Sequence, residues 1–157
     1  MKDLSHLDKN GNPKMVDVGN KEVTQRIATA RTLIELPENI VDLFANSDIQ
    51  TKKGPVFQTA ILAGIMAAKK TSDLIPLCHP LALNKCDVDI NLFERIVTIE
   101  CTVGCNGKTG VEMEALTGAT VAALTIYDMC KALSHNIVLK ETKLIHKSGG
   151  KNDYTSD

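Results

Sequence analysis

At 157 residues with 43% hydrophobic content, the chain is long enough to bury one ordinary core and short for two. A formal net charge of -1, 3% aromatics and no Trp argue against a nucleic-acid surface built on charge or base stacking. Five cysteines behind a polar start read as reduced thiols of a cytoplasmic protein, and the longest apolar runs, 60–68 and 118–127, are too short to span a bilayer.

Residues 1–14 are polar and hold Asn10-Gly11-Asn12-Pro13, a turn-rich lead-in expected to be mobile. Residues 24–33 mix Thr, Ile and Ala and read as a first strand. Residues 37–45 suit a short helix with Ile40, Val41, Leu43 and Phe44 on one side. Gly54-Pro55 opens a clearer helix, with Pro55 in the first helical position. Ile61, Leu62, Ile65 and Met66 fall at helical spacing along it, and Lys69-Lys70 suit its C-terminal end.

Val88, Ile90 and Leu92 alternate with Asp87, Asp89 and Asn91, and Val97, Ile99, Cys101 and Val103 alternate likewise, so two half-buried strands are expected. The link Phe93-Glu94-Arg95 joins them as a hairpin. Residues 110–133 predict a long helix, free of charge from Ala115 to Ile126 and therefore buried nearly all round. A last strand follows over 137–145, and residues from about 149 read as a loose tail. The order β, short α, α, β, β, α, β predicts one α+β domain: a ferredoxin-like antiparallel sheet packed on helices, with an extra N-terminal segment and short helix.

The run Leu74-Ile75-Pro76-Leu77-Cys78-His79-Pro80-Leu81 sets a nucleophile-capable thiol and an imidazole between two prolines. Proline fixes its own φ and pushes the preceding residue toward extended backbone. A stiff loop with a titratable ring suits binding or proton transfer. Glu112 and Glu114 open the long helix, where dipole matching is an equal explanation for either. Asp128 and Lys131 sit three apart on one face near its end. An ion pair accounts for them in part, but an Asp there opposes the dipole, which favours an acid–base couple.

Glu114 and Asp128 stand fourteen residues apart, roughly 21 Å along a helix. If both serve one small ligand, each site is composite, built from two subunits. Gly107-Lys108-Thr109-Gly110 ends like a phosphate-binding P-loop, yet Thr102 stands where that pattern needs Gly; an anion site at a helix N-terminus is the milder reading. Arg26, Arg31, Lys52, Lys53, Lys69, Lys70 and the segment Lys147-Ser148-Gly149-Gly150-Lys151 suit an anionic ligand. No Cys/His spacing matches the usual zinc pairs, so no metal is expected. Cys86 and Cys130 read as core thiols. The rival readings are a small nucleotide hydrolase and a non-catalytic anion-binding oligomer.

With those residues in hand, the chain resembles the MoaC family, the cyclic pyranopterin monophosphate synthases of molybdenum-cofactor biosynthesis. The resemblance rests on Met15-Val16-Asp17-Val18, Lys53-Gly54, residues 74–81, residues 108–117, Ile126-Tyr127-Asp128-Met129-Cys130-Lys131-Ala132, and residues 147–151. It departs after Lys151, where Asn152-Asp153-Tyr154 replaces the family's more usual Ser-Gly. The resemblance implies a lyase that converts 3',8-cyclo-7,8-dihydro-GTP to cyclic pyranopterin monophosphate and pyrophosphate. It implies a homohexamer, a trimer of dimers with sites at dimer interfaces. Asp128, Lys131 and Lys53 match its catalytic positions. Leu77, Cys78, His79, Met113 and Glu114 match substrate-binding segments, and Glu112, Lys69, Lys147 and Arg26 match its polar pocket lining. It implies no required cofactor, although Mg²⁺ could accompany the triphosphate. Cys101 and Cys105 match no functional position.

Overall fold

A computed structural model describes residues 6–157; of the polar lead-in read above as mobile, the first five residues lie outside that range. The elements are β1 (Thr24–Glu35), α1 (Glu38–Val41), β2 (Phe44–Ala45), β3 (Asp48–Thr51), β4 (Gly54–Pro55), α2 (Val56–Lys69), α3 (Thr71–Leu74), β5 (Lys85–Phe93), β6 (Ile96–Gly107), α4 (Glu112–Cys130), β7 (Val138–Ser148) and β8 (Tyr154–Thr155).

The four long strands and the two long helices follow the order β1, α2, β5, β6, α4, β7. The main sheet runs β5-β6-β1-β7-β8, every pair antiparallel. This is the ferredoxin-like sandwich that the sequence order predicts, extended by a fifth short strand. β5 and β6 meet at Phe93↔Ile96 across Glu94-Arg95, and Glu94 takes φ 53, the left-handed backbone a tight hairpin demands. The C-terminal residues, read as a loose tail, double back so that Tyr154 pairs Lys147 and Thr155 pairs His146. The short helix is confined to Glu38–Val41; Phe44 and Ala45 go instead to a small sheet, β2-β3-β4.

The core lies between one sheet face and α2 and α4. Ala28, Ala30 and Ile34 of β1 and Ile99, Cys101 and Val103 of β6 meet Ala115, Ala119, Ala122 and Ile126 of α4, all fully buried. Here α2 differs from its expected face. Its buried side is Val56, Phe57, Ala60, Gly64, Ala67 and Ala68, while Leu62 and Met66 are 63% and 55% exposed. Small residues face inward because α2 and α4 almost touch backbone to backbone. A Cβ on Gly64 would stand 2.9 Å from the Gly118 carbonyl oxygen, and one on Gly118 would stand 2.6 Å from Cys101 Sγ. Close crossings of this kind admit only small residues.

α4 also corrects an expectation. It is buried on one face only; Leu124, midway along, is 52% exposed. The absence of charge from Ala115 to Ile126 therefore leaves an apolar stripe open to solvent in a single subunit.

α2 has no local cap, since Pro55 precedes it without a side-chain bond. Asp48 of β3 supplies one from a distance. Its buried carboxylate accepts hydrogen bonds from the backbone N–H of Phe57 at 2.7 Å and of Gln58 at 3.1 Å, satisfying two of the helix's orphan donors. Among the described residues no helix is long and apolar enough to cross a membrane.

Candidate active site

The candidate residues gather at the two ends of α4. At its N-terminal end, the loop after α3 carries Leu77, Cys78 and His79 against the first turn of the helix. His79 Nε2 lies 2.7 Å from the Val16 carbonyl oxygen, so Nε2 carries the proton and donates. Nδ1 is then left as an acceptor whenever the ring is neutral. The bond also ties the stiff loop to the N-terminal segment. A cavity of about 460 Å³ opens there, lined among others by Val16, Cys78, His79, Glu112, Met113 and Glu114.

Glu114 is buried, 4% exposed, and burial pushes its carboxyl above the usual glutamate range, with the charge of Glu112 adding to the effect. Desolvation here outweighs any help from its place in the first turn of the helix. Burial also raises the Cys78 thiol, and Glu114 raises it further. Cys78 is therefore a thiol at neutral pH, poorly suited to the nucleophile's part that its neighbour His79 suggested. Cys105, on the buried face of β6, is raised by the same two causes.

A second cavity of about 290 Å³ adjoins the first and shares Lys21, Thr109, Gly110, Glu112 and Lys151 with it. It adds Arg26, Lys108 and Lys147, so five cations surround a small space. Backbone carbonyls and one carboxylate hold three of them. Arg26 Nε donates to the Gly107 carbonyl at 3.4 Å, Lys108 Nζ donates to the Gly19 carbonyl, and Lys147 Nζ meets Glu112 Oε1 at 3.1 Å. Gly149, at φ 84, turns the chain under β1 where a Cβ would collide with the Gln25 carbonyl. That turn delivers Lys151. Such a lining suits an anion.

Sequence reasoning did not single out Lys21, and it had Val16 and Val18 only as part of the Met15–Val18 motif with no place in the site; all three reach the cavity through the N-terminal segment. Lys108 and Lys151 were visible only as members of the Gly107–Gly110 turn and the basic tail. Thr109 belongs to that same turn. Its Oγ1 is shielded from solvent with no hydrogen-bond partner among the described residues, and the residue lines both cavities.

At the C-terminal end of α4, Asp128 stands between two lysines. Lys131 Nζ lies 2.8 Å from Asp128 Oδ1, and Lys53 Nζ lies 3.4 Å from Oδ2. Lys53 arrives on the turn between β3 and β4 and also donates to the Asp128 carbonyl at 3.1 Å. The hydrogen bond and charge of Lys131, then those of Lys53, hold the Asp128 carboxyl below its ordinary range. In return Asp128 pushes the Lys131 ammonium up. Proton transfer from a lysine near neutral pH is favoured by a lowered pKa; in one subunit Lys131 moves the other way, because it is paired with Asp128 and open to solvent. An apolar hollow of about 470 Å³ lies beside Lys53, lined by Leu43, Met129 and Leu133.

Lys69, at the end of α2, lines none of these three cavities. The remaining candidates fall into two groups at opposite ends of one helix.

Residues 15–150 match the MoaC family. The chain is 52% identical over 155 residues to the molybdenum cofactor biosynthesis bifunctional protein of Synechocystis sp., covering 96% of this chain but 45% of that protein. It is 51% identical over 151 residues to the cyclic pyranopterin monophosphate synthase of Xanthomonas axonopodis pv. citri, covering 96% and 92% of the two chains. With the cyclic pyranopterin monophosphate synthase of Campylobacter jejuni it shares 52% identity over 150 residues, 94% of each. The nucleotide hydrolase suggested by Gly107–Gly110 finds no counterpart among these relatives.

Proposed function

Since this chain belongs to the MoaC family, we propose that it converts 3',8-cyclo-7,8-dihydro-GTP to cyclic pyranopterin monophosphate with release of pyrophosphate, a step of molybdenum-cofactor biosynthesis. The observation that carries this reading is the pair of joined cavities. One offers a buried carboxyl, a thiol and an oriented imidazole; the other offers five cations. A guanine-derived ring system and its triphosphate need that division of chemistry.

In this reading Glu114 and Glu112 accept hydrogen bonds from the guanine N–H groups, with Leu77, Cys78, His79 and Met113 packing the ring. Arg26, Lys147, Lys108, Lys21 and Lys151 hold the triphosphate. A sugar-derived hydroxyl attacks the α-phosphorus, its proton passes to a base, and the bond to pyrophosphate breaks as the cations take up the developing charge. Asp128, Lys131 and Lys53 move protons while the ring opens and recloses as a pterin. Lys69 joins them only across a subunit boundary. The reading requires no resident cofactor; a triphosphate can bring Mg²⁺ with it.

Because one ligand cannot bridge about 21 Å of helix, the working enzyme is a homo-oligomer with composite sites, a hexamer arranged as a trimer of dimers, and it acts in the cytoplasm. The test is a coupled assay: the upstream radical enzyme supplies the substrate, and pyrophosphate and pterin fluorescence are followed together. Equal amounts of both are expected, with GTP alone inert. Phosphate released from GTP without pterin would overturn the reading.

A further inference from the structure

Two of the cations around the second cavity, Lys147 and Lys151, ride on one hairpin. Lys147 lies in β7, paired with Tyr154 of β8, and Glu112 Oε1 holds its ammonium at 3.1 Å. Lys151 lies in the loop between the two strands and is exposed. Among the described residues no hydrogen bond or ion pair holds its ammonium, so the loop alone decides where it stands. Lys151 nevertheless lines both cavities.

The hairpin is fastened at its base. Ser156 N donates to the Ile145 carbonyl at 2.8 Å, and His146 Nδ1 meets Thr155 Oγ1 at 3.1 Å. Thr24 Oγ1 donates to the Gly149 carbonyl at 2.7 Å and pins the near strand to β1. Across the loop itself runs the bond from Gly149 N to Asp153 Oδ1, at 3.1 Å. Residues 151–155 are all exposed. Hydrogen bonds open to water each contribute little, and such segments open locally at small free energy. One bond is therefore a large share of what keeps this loop closed. Asp153 lines neither cavity. As a charge two residues from Lys151 it repels an incoming anion; as an acceptor that closes the loop it does the opposite.

We propose that Asp153 is a positioning residue: its carboxylate closes the 149–153 loop and so holds Lys151 where the two cavities join, over a bound polyphosphate. This rests on the triphosphate substrate proposed above and names a residue, outside the cavities, that sets how tightly it is gripped.

The test is calorimetric titration of the assembled protein with inorganic tripolyphosphate, which needs no turnover. Asp153→Ala should weaken binding about three- to tenfold, the share of one exposed hydrogen bond. Asp153→Asn keeps an acceptor oxygen without the charge and should bind at least as tightly as the parent. With Lys151→Ala already present, Asp153→Ala should add no further loss. Thermal melts should be alike throughout, since the loop is exposed. Tighter or unchanged binding by Asp153→Ala would show a mere surface charge and overturn the proposal. Asn behaving like Ala would overturn the hydrogen bond, and full additivity with Lys151→Ala would overturn action through that lysine. A parent that does not bind tripolyphosphate would overturn the whole proposal.

Steady-state kinetics on the cyclised nucleotide separate this from the assigned reaction. Asp153→Ala should raise KM by the same factor and leave kcat unchanged, the signature of lost uniform binding. A fall in kcat with KM unmoved would overturn the positioning role. A parent that binds tripolyphosphate with the expected variant pattern but makes no pterin would sink the proposed function and leave the Asp153 clasp standing.

Discussion

Two carboxylates on one helix are held in opposite protonation regimes. Burial raises Glu114, whereas Lys131 and Lys53 lower Asp128. For Glu114 the folded pKa exceeds the unfolded one, so its contribution favours the fold below the ordinary glutamate pKa and is lost as pH rises through the folded value. Glu114→Gln therefore gains stability over the parent progressively across that window and holds the gain above it, while activity collapses. Urea titrations at several pH values check this; a gain independent of pH would show that the carboxyl is not desolvated. Asp128 has the reverse sign: its stabilisation is present above the ordinary aspartate pKa and is lost as pH falls through the lowered one. Its ion pairs are exposed, so screening leaves them little effect on stability. Asp128→Asn should leave the melting temperature unmoved and cut turnover about 10²–10⁴-fold, the usual contribution of a positioned acid or base. A steady-state assay beside a melt separates the two readouts.

At the scale of elements, the helices depend on contacts their own segments do not announce. Asp48 lies eight residues before the start of α2 and carries no sequence signal, because local capping rules look for a residue adjacent to the helix. Removing it leaves the buried N–H groups of Ile49 and Phe57, and the partly buried one of Gln58, without that partner. Asp48→Ala should cost about 2–3 kcal/mol, a fall of roughly 5–10 °C in melting temperature for a domain of this size, measurable by calorimetry. The α2–α4 crossing makes a similar demand. Gly118→Val drives a side chain toward Cys101 Sγ, a position where even a Cβ stands 2.6 Å away, and should destabilise by about 3 kcal/mol. The long apolar residues of α2 led the sequence reading to the wrong face. Hydrophobic spacing reports which side shuns water, but it does not say whether the cover is the same chain or another.

At the scale of the whole molecule, topology was legible because alternation, helical spacing and a two-residue hairpin link are local signals, and their order admits few folds. The anion cavity was only half legible. Arg26 and Lys147 were named as candidate cations, but Lys21 comes to the cavity from a segment with no periodicity and no motif. The division of the site between the ends of α4 was legible from helix rise alone. Under the proposed function, the same division makes assembly a condition for turnover. Leu124→Lys sets a charge in the middle of the exposed apolar stripe, 52% exposed in the subunit and so tolerated by its fold. Buried against a second copy it would be an unpaired ammonium, which costs several kcal/mol. The variant should keep its circular dichroism spectrum and its thermal transition, sediment as a smaller species and lose nearly all turnover. Full turnover from that smaller species would mean that one subunit holds the entire site.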